Sequence, residues 1–113
     1  MLNHSTPIDR VFYALSDPSR LAIVERLSKK GASVSELAEP LNMSMAGVVQ
    51  HIRILEESGL IKTHKVGRVR SCEIETRSLE LIEDWLNQRR KMWEINLDRL
   101  GEFLERTKKD RKK

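Results

Sequence analysis

Between Lys62 and Arg70 the chain carries Lys62, His64, Lys65, Arg68 and Arg70 and no acidic residue. Ammonium and guanidinium groups at that density make and break no bonds by themselves. They hold anions, and a row of them suits a repeating anion such as a phosphate backbone. A second group of different character precedes it: Ser44, Met45, Ala46 and Gly47, then Gln50 and Arg53. A serine hydroxyl caps a helix and can face a phosphate. The glutamine amide presents a donor beside an acceptor, the pattern that pairs with an adenine edge, while Met45 and Ala46 can touch a thymine methyl. Small side chains let a helix end approach a surface that bulky ones would hold off, and the free amides of a first turn attract anions. Arg53 would reach a phosphate from the side of that helix. The two groups together point to double-stranded DNA.

Catalytic chemistry finds little support. The chain has no phosphate-cradling glycine loop, no nucleophile beside a base and no paired carboxylates in a pocket-forming context, so no enzyme is expected. Cys72 is the single cysteine, which excludes an internal disulfide and a thiolate metal cluster. No metal and no cofactor are expected. Cys72 itself reads as an inward strand residue. The histidines are His4, His51 and His64. His51 leaves two readings open, a satisfied histidine packed behind its helix or a phosphate ligand. No apolar run is long enough for a membrane span, no secretory signal opens the chain, and a cytoplasmic protein is expected.

The net charge is +4, from 21 basic and 17 acidic residues. Residues 1–60 hold six basic and seven acidic side chains, so the positive charge is local to the segment that follows. That pattern favours a directed anionic contact over general stickiness.

These residues must be positioned by helices and a hairpin. Residues 1–7 read as a loose arm. Apolar spacing predicts a helix over 8–15, and Asp17 followed by Pro18 predicts the start of another over about 18–29, with Gly31 ending it. Ser33 with Glu36 forms a capping box for a helix over 34–41, distorted near Pro40. Asn42 falls where a turn needs positive φ. Ser44 caps the next helix, 44–58, whose core face is Val48, Ile52 and Leu55, and Gly59 ends it. The period then changes to that of a hairpin, with strands at 61–65 and 69–74 and a tip at Val66–Arg68. From Thr76 or Ser78 to about Thr107 one long helix is expected, with a basic disordered tail over 108–113. A helix of that length often needs a partner helix.

The expected fold is mainly α with a β-hairpin wing: a winged helix-turn-helix with a long C-terminal dimerisation helix. It is read as a single domain over 1–113, with core and wing in 8–75 and the long helix in 76–107. The expected DNA contacts are Ser44, Met45, Ala46, Gly47, Gln50, Arg53, Lys62, His64, Lys65, Arg68 and Arg70. A homodimer is expected, with Val11, Phe12, Leu79, Ile82, Leu86, Trp93, Leu97 and Leu100 at its seam. Trp85 and Trp93 serve either that seam or the lining of a small cavity. Competing readings are a winged-helix protein interaction module and a non-specific architectural DNA binder.

The segments "ALSDPSRLAIVERL", "SVSELAEPLNMS", "HIRILEESGLI" and "VGRVRSCEI" resemble the ArsR family of small transcription regulators over about residues 8–75. Arg20 with Leu21, and the run from His51, are specific in combination. The resemblance implies a dimeric winged helix-turn-helix repressor released by an inducer, with its recognition helix on Ser44–Leu55 and its wing on Lys62–Arg70. It leaves open both whether there is a small-molecule effector and what it would be. There are departures. Many members carry serine where this chain has Val49, and proline or serine near Ala46. The Cys-x-Cys pair of metal-sensing members is missing around Val34–Leu37, and the last helix has Glu80, Glu83 and Asp84 but no histidine. Sensing of zinc, arsenic or cadmium through those sites is not expected.

Overall fold

The computed structural model describes residues 6–111, with side chains to Lys108. Among them are five α-helices: α1 (Pro7–Leu15), α2 (Pro18–Leu27), α3 (Val34–Ala38), α4 (Met45–Glu57) and α5 (Arg77–Arg111). Three strands complete the set: β1 (Ala32–Ser33), β2 (Ile61–Val66) and β3 (Val69–Ile74). They pair antiparallel in the order β1-β3-β2, so β2 is an edge strand. The chain divides into two compact units, residues 1–82 and 83–113.

In the first unit the helix starts follow local chemistry. Thr6 accepts from the Asp9 amide and Pro7 opens α1, so these two residues belong to a helix start and not to the expected arm. Residues 1–5 lie outside the described residues. Asp17 accepts from the amides of Ser19 and Arg20 at the start of α2. Those donors, the Arg20 amide foremost, hold the Asp17 carboxyl below the usual carboxylate range. The capping box of Ser33 and Glu36 closes at 3.2 Å in both directions.

Helix ends depart further from expectation. α2 stops at Leu27, with Ser28 in right-handed geometry as its C-cap, so Gly31 ends no helix. Gly31 is needed instead by close approach, because an added Cβ would stand 3.2 Å from the Cys72 carbonyl oxygen. That approach lets Ala32 and Ser33 pair with Cys72 and Ser71, a short strand the sequence reading did not contain. α3 ends at Ala38 because Pro40 has no amide to continue the ladder, and Glu39–Leu41 tighten into a 3₁₀ turn. Asn42 then takes left-handed geometry, φ 49° and ψ 47°.

The core gathers one face from each helix. Val11 and Ala14 of α1, Ile23 and Leu27 of α2, and Leu37 of α3 pack with Val48, Ile52 and Leu55 of α4. Leu60, Ile61 and Cys72 close it from the hairpin. Burial raises the pKa of the Cys72 thiol, as suits an inward strand residue. Val11 is fully buried in its own chain and presents no surface to a partner, which removes it from the expected seam. Ile82 is half-buried against the same core.

Arg20, at 6% exposure, is the charged side chain inside this core. Its Nε donates to the Ala14 carbonyl at 2.7 Å and Nη2 to the Tyr13 carbonyl at 3.3 Å, satisfying the open end of α1. Its Nη1 lies 3.2 Å from Nδ1 of His51 on α4. Arginine has only donors, so Nδ1 accepts and the ring proton sits on Nε2, 3.9 Å from Asp17. His51 is therefore the satisfied histidine behind its helix. One guanidinium joins α1, α2 and α4.

The hairpin turns through Gly67 and Arg68 alone, one residue tighter than expected. Gly67 has φ +62° while Arg68 does not enter the positive region, the φ pattern of a type II′ turn. Lys65 consequently faces Arg70 and Lys62 faces Glu73. At the hairpin base Gly59 has φ +80°, and an added Cβ would fall 2.6 Å from Ser78 Oγ. The buried Ser78 hydroxyl donates to the Ser58 carbonyl there.

The second unit consists of the rest of α5, which continues through 108–111 where a disordered tail was expected. Leu86, Trp93, Leu97 and Leu100 are exposed along it, as are Met92, Phe103 and Leu104. Arg89 stacks over the Trp85 ring at 4.7 Å. No helix among the described residues is long and apolar enough to cross a membrane.

Candidate nucleic-acid interface

α4 is amphipathic in the way a groove-reading helix must be. Val48, Ile52 and Leu55 anchor one side in the core. The opposite side exposes Met45, Ala46, Val49, Gln50 and Arg53. Ser44 caps the helix, its Oγ accepting from the Gly47 amide at 3.1 Å. The hydroxyl proton remains free to donate, and the amides of Met45 and Ala46 precede any intrahelical partner. The start of α4 therefore offers an anion three donors beside a low, apolar surface.

Gly47 stands apart from this set. It is half-buried on the flank of α4, and a Cβ there would meet Met43 at 3.2 Å and the Ser44 hydroxyl at 3.3 Å. Its small size serves the cap and not the exposed face. Val49 takes its place on that face, at 39% exposure. Helical spacing from Ala46 and Arg53 points to Val49, which in the sequence stands out only as a departure from the family pattern.

The hairpin divides its cations between two faces. Directly paired residues share a face, and faces alternate along each strand. Thr63 and Cys72 lie on the face toward the core, so Lys65 and Arg70 extend that face beyond the core edge. There they meet α4. Lys65, Arg68 and Arg70 line an open cleft with Val49, Val34 and the hydroxyl-bearing Ser33 and Ser35. Arg53 and Glu56 line its continuation along α4. Four cations from α4 and the hairpin thus converge on one surface. Ser35, at the start of α3, is a lining residue that sequence reasoning missed, because only the chain crossing brings it here.

Lys62 and His64 lie on the other face. Lys62 is paired with Glu73 across the strands at 3.4 Å, so its charge is partly compensated. The run of cations in sequence is not one patch in space. Among the described residues no three His, Cys, Asp or Glu side chains come together as a metal site.

An exposed helix face, an amide-rich helix start and a cationic wing stand together on the first unit, a surface with the chemistry to receive a polyanion. Comparison with known proteins agrees. The helix-turn-helix domain family matches residues 15–64. The chain is 34% identical over 80 residues to the HTH-type transcriptional regulator Rv2034 of Mycobacterium tuberculosis, covering 71% of this chain and 75% of that one. It is 28% identical over 79 residues to the transcriptional repressor SdpR of Bacillus subtilis, covering 70% and 88%. The crystal structure of the ArsR family transcriptional regulator RHA00566 superposes with a TM-score of 0.76 and 44% identity, covering 83% of this chain and 97% of that one. By these matches the chain belongs to the ArsR family of winged helix-turn-helix, DNA-binding transcriptional regulators.

Proposed function

We propose that the protein is a cytoplasmic, non-catalytic repressor that binds a palindromic operator as a homodimer. The observation that carries this reading is the convergence of Arg53, Lys65, Arg68 and Arg70 beside the exposed face of α4. With α4 in the major groove, Gln50 addresses base edges, Met45, Ala46 and Val49 supply apolar contact, and the wing cations follow the flanking backbone. The exposed apolar residues of α5, Leu86, Trp93, Leu97 and Leu100, together with Leu79 and with Phe12 of α1, support a two-fold partner. Two-fold symmetry places the two α4 helices about one helical turn apart on DNA, or a multiple of it.

The test is selection of duplexes from a randomised library by the purified protein, followed by fluorescence anisotropy on the enriched site with random DNA as competitor. Light scattering gives the mass of the free protein. A dimer that enriches an inverted repeat and resists the competitor is the expected result. Enrichment of no sequence would leave an architectural DNA binder, and no binding at low salt a protein interaction module.

A further inference from the structure

Glu56 is out of place in its surroundings. Among the described residues lining the cleft between α4 and the wing, it is the carboxylate in a cationic set. A negative charge there opposes a polyanion. Its hydrogen bonds show what offsets that cost. Glu56 Oε2 accepts from the Thr63 amide at 3.2 Å and also from the Thr63 hydroxyl. With its proton given to Glu56, the Thr63 oxygen accepts from Arg70 Nη1 at 3.1 Å. One relay therefore runs from α4 through β2 to β3.

The position of this relay matters. β2 is an edge strand, and the Thr63 amide goes to Glu56 and not to a neighbouring strand. Below it, Ile61 and Cys72 anchor the hairpin in the core. Beyond it, every residue from His64 to Arg70 is exposed. Among the described residues the Glu56–Thr63 bond is thus the outermost hydrogen bond between α4 and a wing tip that no core residue holds. Arg70 spends one of its five N–H groups on the relay and keeps the others for a phosphate.

We propose that Glu56 is a positioning residue for DNA recognition: through Thr63 it pins the wing to α4 and sets where Lys65, Arg68 and Arg70 stand relative to the groove-facing side chains. The proposal rests on the DNA-binding reading above and adds the device that couples its two halves.

The test compares full-length Thr63→Val, Thr63→Ser, Glu56→Ala and Glu56→Gln with wild type. The probes are a duplex enriched by the wild type from a randomised library and a random duplex of equal length. Thr63→Val and Glu56→Ala should lower the ratio of the two affinities by about tenfold, the scale of one mismatched base pair. Thr63→Ser keeps the hydroxyl and Glu56→Gln keeps an acceptor, so both should retain the ratio within about threefold. Thermal midpoints should stay close to wild type, since the relay is largely exposed. In the free protein, amide exchange at Thr63 and along 64–70, followed by NMR, should quicken in Glu56→Ala. Unchanged affinity ratios in Thr63→Val and Glu56→Ala would overturn the proposal, as would loss of the ratio in Glu56→Gln to the same extent as in Glu56→Ala. A wild type that enriches no sequence overturns the sequence-specific repressor reading and this one with it. The exchange rates then tell that failure apart from a tether that does not hold.

Discussion

The two faces of the wing predict different roles for cations that are neighbours in sequence. Lys65 and Arg68 line the cleft beside α4 and have no ion pair among the described residues, whereas Lys62 is compensated by Glu73. Consider Lys65→Ala with Arg68→Ala. Each phosphate contact contributes about 0.9 to the magnitude of the slope of log affinity against log salt. Two cations per chain make four in a two-fold complex, so the slope should flatten by about 3.6. Raising salt from about 50 to about 200 mM would then shrink the wild type's advantage over the variant by about 150-fold. Anisotropy titrations of both proteins on one duplex, at four or more salt concentrations, measure this directly. The charge-neutral double variant Lys62→Ala with Glu73→Ala serves as the control and should leave the slope unchanged. A Lys65/Arg68 variant that keeps the wild-type slope, or a control that flattens it as much, would rule out separate roles for the two faces.

Three further predictions concern the scaffold. Arg20→Ala strands the buried Ala14 carbonyl and takes the partner from half-buried His51 Nδ1, and should cost about 2–4 kcal/mol, a fall in melting temperature of about 10–20 °C by circular dichroism at fixed protein concentration; Arg20→Lys should lose less. Gly59→Ala combines positive φ with a 2.6 Å contact to Ser78 and should cost about 2–5 kcal/mol, while Gly67→Ala, with open space around it, should cost only about 1 kcal/mol in urea unfolding. Asp17 has its carboxyl held low in the folded state, so its charge stabilises fully above the ordinary carboxylate pKa and that contribution is lost as pH falls through the lower folded value. The gap in melting temperature between wild type and Asp17→Asn should therefore be largest near neutral pH and close as pH drops below about 4; a gap that widens on acidification would contradict it.

What could be read from the chain was whatever adjacent residues decide among themselves. The caps at Asp17, Ser33 and Ser44 satisfy amides two or three residues away, so helix starts were legible. The core face of α4 follows from its period, and Asn42 and Gly59 mark left-handed positions because few other residues accept them. Ends were harder. α2 stops before its lysines and α3 tightens at Pro40, since chain reversal there is set by packing against the hairpin and by one missing amide.

The site was legible as two groups of residues but not as one surface. A three-residue tip would set Lys65 against Val69; the two-residue turn at Gly67 sets it against Arg70 and moves Lys62 beside Glu73. A register change of one residue sends side chains to the other face, so which cations converge is a tertiary outcome. The same holds for β1, where Gly31 lets two distant segments approach, and for Arg20, whose burial needs carbonyls from α1 and an imidazole from α4. Spacing within a few residues sets the helix starts, their caps, the exposed side of α4 and the presence of a basic hairpin. Only the tertiary structure decided which cations stand beside α4, why Glu56 stands among them, and that Val11 belongs to the core and not to a seam, because each depends on groups that the chain brings together from far apart.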